Sequence, residues 1–236
     1  MDGTEDLLNA HFRWKSDGSG FLKRVVTLGA VISGCLAVQA QITLEGQVTL
    51  PAPKSAAGTA ARYQQKAGAV EPPEPPAAVV FLEAAGATEP VAGTQAYRVE
   101  QKGYQFGPGL LPIPKGAAVE FPNRDDDYHH VFSYSKTKEF DIGRYRKTEQ
   151  PPPVKFDKPG VVKIGCEIHD HMRAIILVLD TPYFVKTDSQ GKYKLSIDAL
   201  PPGSYLLKAW INERTLREQK LEIKGPGSLV VNFPGN

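Results

Sequence analysis

The sequence predicts an all-β protein. Two apolar runs lying close together, Val161 to Gly165 and Ala174 to Leu179, have the length and composition of buried strands. From Thr181 onward, short apolar-polar runs are separated by turn-forming clusters, Asp188-Ser189-Gln190-Gly191 and Leu200-Pro201-Pro202-Gly203. Near the other end, Ile42 to Leu50 alternates as a half-buried strand does. The 236 residues allow one or two domains. A net charge of +2 with 23% charged residues gives no reason to expect nucleic-acid binding.

The N-terminal stretch is set apart from the fold. Lys23 and Arg24 precede an apolar run from Val25 to Val38, which ends at Val38-Gln39-Ala40. A basic start, an apolar middle and a small-residue cleavage site describe a secretory signal peptide over 1–40, with residues 1–20 an odd polar prefix to a start near Leu22. The run is too short for a comfortable membrane span. Ile32-Ser33-Gly34-Cys35 offers an alternative, a lipid anchor at Cys35, although Leu36-Ala37-Val38 continues the apolar run past it. Cleavage after Ala40 is the preferred expectation. Either way the mature chain keeps one unmodified thiol, Cys166. A lone thiol in an exported protein wants an explanation, and sequestration by a metal supplies one.

After the strand at 42–50, Pro51 to Pro76 is rich in Ala, Pro and Gly and nearly lacks large apolar residues, so a disordered or extended surface loop is expected. Val79 to Glu83 is the next strand and Ala84 to Gly93 another small-residue loop. Gly107 to Pro114, punctuated by Pro and Gly, reads as a connector. His129 and His130 begin a strand to about Tyr134. Asp125-Asp126-Asp127 reads as a solvated loop tip, since a calcium loop needs more oxygens and turn glycines than are present. Ser135 to Gln150, mixing charges with aromatics, is expected to cover one side of the barrel, and a short strand lies near Val154 to Phe156. Beyond Thr181 the expected strands are Tyr183 to Thr187, Lys192 to Ser196, Ser204 to Ile211, Lys220 to Lys224 and Ser228 to Phe233.

The chemistry is concentrated between the two apolar runs. Cys166, His169, His171 and Met172 lie within seven residues, on a tight loop clamped by strands at both ends. Thiolate and thioether are soft donors and imidazole is intermediate, which points to copper before zinc and to both before magnesium or calcium. Val162, Ile164 and Cys166 share one strand face, so the sulfur enters the interior. A further ligand is sought in the other histidine cluster, FPNRDDDYHHVFSYS at Phe121 to Ser135.

These residues together resemble the cupredoxins, the plastocyanin and amicyanin family of blue copper proteins. Phe121, Asn123, His129 and Val131 match the first part of that family's pattern; Cys166, His169 and Met172 match the second. The short His-x-x-Met spacing is closer to amicyanin. The resemblance covers about 96–180 and implies a Greek-key β-sandwich or barrel, in which Tyr97 to Gln101 resembles the first strand and Ala117 to Phe121 the strand leading to the copper loop. It implies His129, Cys166 and His169 in a trigonal arrangement around copper, with Met172 as a long axial contact. The family's Asn after the first ligand is His130 here, whose imidazole could brace the ligand loop as that Asn does, or could itself be the ligand. Counting from Asn123 selects His129. The two point to opposite faces of a strand, so both cannot bind one ion from one side. His171 is extra to the pattern and is expected to face solvent, with an outward electron path or a second weak metal site as alternatives.

Farther on, TDSQGKYKL followed by LPPGSYLLKAW resembles the carboxypeptidase regulatory-like family of small prealbumin-type sandwiches. The family's first strands resemble Gly46-Gln47-Val48 and Ala78-Val79-Val80. A sandwich over 181–236, completed by 42–95 with the copper module inserted, is therefore expected. The segment 181–236 alone would have a marginal core.

The expected function is one-electron transfer by an exported, periplasmic type 1 copper protein that is not an enzyme. Its partner would be a redox protein such as a cytochrome or dehydrogenase. Copper storage or delivery without redox turnover is the alternative. Cys166 acting as a nucleophile with His169, or zinc held by Cys and His, are further rivals; Met172 at the matched position argues for copper.

Overall fold

The computed structural model describes residues 41–53, 74–83, 96–198 and 200–235. The expected signal peptide, with Cys35, lies outside the described residues, as do most of the 51–76 loop and the 84–93 loop. Every regular element among the described residues is a β-strand. The chain enters through β1 (Gln41–Gln47) and β2 (Val79–Glu83). Its middle supplies β3 (Tyr97–Arg98), β4 (Glu100–Lys102), β5 (Gln105–Gly107), β6 (Leu110–Pro114) and β7 (Ala118–Glu120). It continues with β8 (His129–Ser135), β9 (Lys138–Tyr145), β10 (Val154–Lys155), β11 (Gly160–Gly165) and β12 (Arg173–Leu179). The last part adds β13 (Phe184–Lys186), β14 (Lys192–Asp198), β15 (Gly203–Asn212), β16 (Thr215–Ile223) and β17 (Gly227–Val230).

The strands sort into two sandwiches. In the central one, a five-stranded sheet ordered β6-β12-β11-β8-β9 and a three-stranded sheet ordered β10-β7-β3 share one core. Val119, Phe156, Val162, Ile164 and Ile176 fill that core, each fully buried or nearly so. In the other, β14-β1-β17 and β13-β2-β15-β16 enclose Leu44, Val80, Leu195, Ile197 and Leu207. β1 and β2 therefore pair with the C-terminal strands: Gln41 opposite Asp198 through Gln47 opposite Lys192, and Val79 opposite both Lys186 and Trp210. β14 shows why: in KYKLSID every second residue, Tyr193, Leu195 and Ile197, is buried and the others face solvent.

β12 has no such alternation. Ala174, Ile176 and Val178 face the central core, while Leu177 and Leu179 join Val79 and Trp210 in a separate buried cluster. Burial on both faces explains the unbroken apolar run from Ala174 to Leu179. Burying each of these leucines contributes roughly 1.5–3 kcal/mol.

Three expectations are corrected. The stretch 107–114 is not a mere connector, because Leu110–Pro114 is β6, running parallel to β12 at the sheet edge. The Ile175 amide donates to the Gly109 carbonyl, so odd-numbered residues here turn toward β12. Pro112 and Pro114, two apart, both turn their missing N–H to the open edge, where it costs nothing. Ser135 to Gln150 contains a full strand, β9, whose inward Phe140 and Ile142 alternate with outward charges. Finally, the strand expected at 97–101 is split into β3 and β4 around the buried Val99.

The turn from Asp188 to Gly191 is built by local hydrogen bonds. The amides of Gln190 and Lys192 donate to Asp188 Oδ1 and the Gly191 amide donates to the Asp188 carbonyl. Gly191 takes φ +79°, a conformation that favours glycine.

Candidate metal centre

The site lies at one end of the central sandwich, where three strand ends meet. His129 is the first residue of β8; Cys166 follows the last residue of β11; His169 and Met172 occupy the loop before β12. That loop is tight because the Met172 amide donates to the His169 carbonyl at 3.0 Å and the Cys166 amide to the Met172 carbonyl at 3.4 Å. Inward residues Val162 and Ile164 of β11 set the phase that turns the Cys166 side chain into the core.

The structure brings together His129, Cys166 and His169. Nδ1 of His129 is 3.1 Å from Nδ1 of His169, and Cys166 Sγ is 3.7 Å from Nδ1 of His169. The donor atoms of all three lie within 4.8 Å of one another, and all three side chains are buried. Met172 is fully buried in the same core cluster as Cys166. The donor set therefore fits a soft transition metal: one thiolate sulfur, two imidazole nitrogens and a nearby thioether, away from water.

The electrostatics favour the anion a metal needs. Burial pushes the Cys166 thiol up, but hydrogen bonds from His129, His169 and the backbone of His130 and His169 outweigh it and bring the thiol down to about 5. For His129, burial disfavours the cation, yet Asp125 and Cys166 raise it to about 9. Cys166 and His129 thus form a thiolate–imidazolium pair at neutral pH. A metal ion must then displace a proton from His129 but none from Cys166. Metal uptake at pH 7 is expected to release about one proton per ion, and apparent affinity should climb about tenfold per pH unit between 5 and 9. Zinc titrations across that range check this; a flat profile from pH 6 to 9 contradicts the pair.

His130 points the other way. Its Nε2 is 2.6 Å from Asp141 Oδ1 on β9, its Nδ1 is 3.6 Å from Glu167 Oε2, and its ring stacks on Phe132 at 5.2 Å. Its side chain braces β8 against β9 and the residue after Cys166; only its backbone, which hydrogen-bonds Cys166, reaches the three-residue cluster. His130→Ala is expected to leave most of the metal affinity and any copper colour intact, measured by titration against wild type; complete loss would move the ligand assignment to His130.

Asn123, used in the sequence only to set the register, ties the loop before β8 together. Its amide donates to the carbonyls of Asp127 and Tyr145, and its Oδ1 accepts the Asp125 amide at 2.9 Å. Two sequence expectations change here. Asp125 is not simply part of a solvated tip: its carboxylate contacts His129 Nε2 at 2.8 Å and accepts the amides of Gly103 and Tyr104. Burial raises Asp125, but these contacts outweigh it and hold the carboxyl below its usual range. His171 does not simply face solvent; it is half-buried and its Nε2 donates to the Tyr104 carbonyl at 2.9 Å.

Sequence reasoning missed Tyr104 altogether. It sits between β4 and β5 with φ +56°, and its ring meets His129 edge-on at 5.7 Å and His169 at 5.1 Å. Its hydroxyl donates to Asp127. Only the neighbouring Gly103 marked a turn, and nothing local tied that turn to histidines so far along the chain.

No family profile and no curated protein matches the chain. Among solved structures, a Cu-containing nitrite reductase from Thermus scotoductus SA-01 overlaps 42% of this chain at 28% identity, with a TM-score of 0.34. A methionine-to-alanine variant of amicyanin in the Cu(I) form overlaps 42% at 18% identity and a TM-score of 0.33. A purple cupredoxin from Nitrosopumilus maritimus overlaps 35% at 20% identity and a TM-score of 0.32. The overlaps take in 98% of the amicyanin and 99% of the purple cupredoxin, but this chain spans only 25% of the nitrite reductase.

Proposed function

We propose that the central sandwich is a cupredoxin module whose His129, Cys166, His169 and Met172 hold a type 1 copper ion, and that the protein moves single electrons. The observation that carries this reading is the meeting of the three donor atoms within 4.8 Å in a buried pocket. Bound there, copper would supply a one-electron Cu(I)/Cu(II) couple. The chain's own part is to keep the sulfur deprotonated, exclude water and fix the donors on rigid strand ends, so that little rearrangement accompanies a change of charge. In this reading the chain is exported, and a cytochrome or dehydrogenase exchanges electrons with it. The other sandwich, which we place with the carboxypeptidase regulatory-like type, serves as a spacer or docking body.

A second reading has one observation in its favour. Tyr104 meets both imidazoles edge-on, and His169 is only 8% exposed. Such cover suits a protein that stores or delivers copper without redox turnover. One experiment separates the readings. Copper(II) added to the purified protein should produce intense visible absorption, which reductant bleaches and oxidised cytochrome c restores. Colour that forms but does not cycle supports storage. No colour and no binding would remove both.

A further inference from the structure

We propose that Asp125 is a positioning residue for this centre: its carboxylate holds the His129 ring in place and, through its other contacts, pins the Gly103–Tyr104 turn over both imidazoles. The inference rests on the metal-centre reading above. Asp125 is four residues before His129, and its side chain is only 14% exposed. An ionised carboxylate can only accept, so the 2.8 Å contact fixes the hydrogen on His129 Nε2 and leaves Nδ1, the nitrogen nearest His169, as the one that can bind a metal.

Both carboxylate oxygens are committed. Oδ1 accepts the Gly103 amide at 2.8 Å; Oδ2 accepts the Tyr104 amide at 3.1 Å together with the His129 Nε2–H. All three partners are donors, so both ends of the side chain must be acceptors. Asparagine has only one acceptor end and must abandon one set of contacts. Glutamate keeps both acceptors and the charge but is longer by a methylene. Few residues satisfy this geometry, and aspartate does so with its own backbone held by Asn123.

The turn it pins is itself part of the site. Tyr104 edges both histidine rings, its carbonyl accepts from His171, and its hydroxyl reaches Asp127, two residues from Asp125. One carboxylate thus couples the early imidazole to the cover over both. The negative charge next to the ring also makes the imidazole a better donor to a divalent ion.

The test compares full-length wild type with Asp125→Asn, Asp125→Glu and, as a charge control, Asp126→Asn. Asp126 is an exposed neighbour, 88% accessible, that contacts Lys147. Without metal, hydrogen exchange at the Gly103 and Tyr104 amides is expected to accelerate at least tenfold in both Asp125 variants and to stay unchanged in Asp126→Asn. Zinc affinity should fall roughly 10–100-fold in both Asp125 variants. In the copper-loaded protein the midpoint potential should rise in Asp125→Asn, because the more highly charged Cu(II) state loses more from removal of the anion. Asp125→Glu behaving as wild type in exchange and affinity would show that charge alone matters and overturn the positioning role. Unchanged amide exchange in Asp125→Asn would overturn it whether or not the protein binds copper. Failure of wild type to bind copper or zinc sinks the metal-centre reading instead, and is read separately from the exchange data.

Discussion

Cys166→Ser is expected to abolish the visible absorption that copper(II) gives with the wild-type protein, and to lower metal affinity beyond the roughly 10–100-fold that outer partners command. The thiol at this position sits at about 5, already anionic at neutral pH, and is 2% exposed. A serine hydroxyl in the same place stays protonated and offers a hard, neutral oxygen in place of a soft, charged sulfur. It also leaves the cation on His129 with Asp125 as its one remaining anionic contact in the site, so the cluster loses a donor and part of its electrostatic balance. The protein should still fold, because one small side chain replaces another and the hydroxyl can accept the hydrogen bonds the sulfur takes from His129 and His169. Copper titration followed by absorption and electron paramagnetic resonance gives the answer. A variant that keeps an intense band would remove sulfur from the centre.

Gly191→Ala is expected to have the largest effect on stability without touching the metal residues. The residue holds φ +79°, where a side chain costs about 1–2 kcal/mol. A Cβ there would lie 1.9 Å from the Val48 carbonyl oxygen, a backbone atom that cannot swing aside. The Val48 amide donates to the Gly191 carbonyl at 2.8 Å, so relieving the clash means opening the contact between the 188–191 turn and the end of β1. Together these should cost about 2–4 kcal/mol, a large part of the roughly 5–15 kcal/mol that holds a typical domain folded. Chemical denaturation followed at Trp210, whose ring lies between the sandwiches, measures it. A loss under about 0.5 kcal/mol would contradict the backbone contact described.

The strands were legible where one face alone is buried or where the apolar run is unbroken. β14 and β12 represent the two cases, and both were found from their pattern. Two strands hid behind their composition. Proline in β6 reads as a breaker unless the sheet edge is known, and β9 carries its two inward aromatic and aliphatic residues among charges on an exposed edge. The donor residues were legible because Cys166, His169 and Met172 are close in sequence, with unusual chemistry for so short a loop. His129 was separated from His130 by the register from Asn123. The roles of Asp125, Tyr104 and His171 were not legible, since each depends on the Gly103–Tyr104 turn folding back onto the loop, and that approach has no local signature.

The closure of one sandwich by both ends of the chain has a consequence for biosynthesis. Gln41 and Asp198, hydrogen-bonded partners, are 157 positions apart. The strands between Tyr97 and Leu179 pair among themselves, so the central body can form before the C-terminal strands are available. β1 and β2 must wait for β14, β15 and β17, with their apolar edges bare in the meantime. Any stall or truncation after Leu179 therefore releases a chain whose central body is finished but whose early strands are free to pair with a neighbour's, which makes aggregation rather than loss of the His129–Cys166–His169 cluster the first fault of a shortened protein.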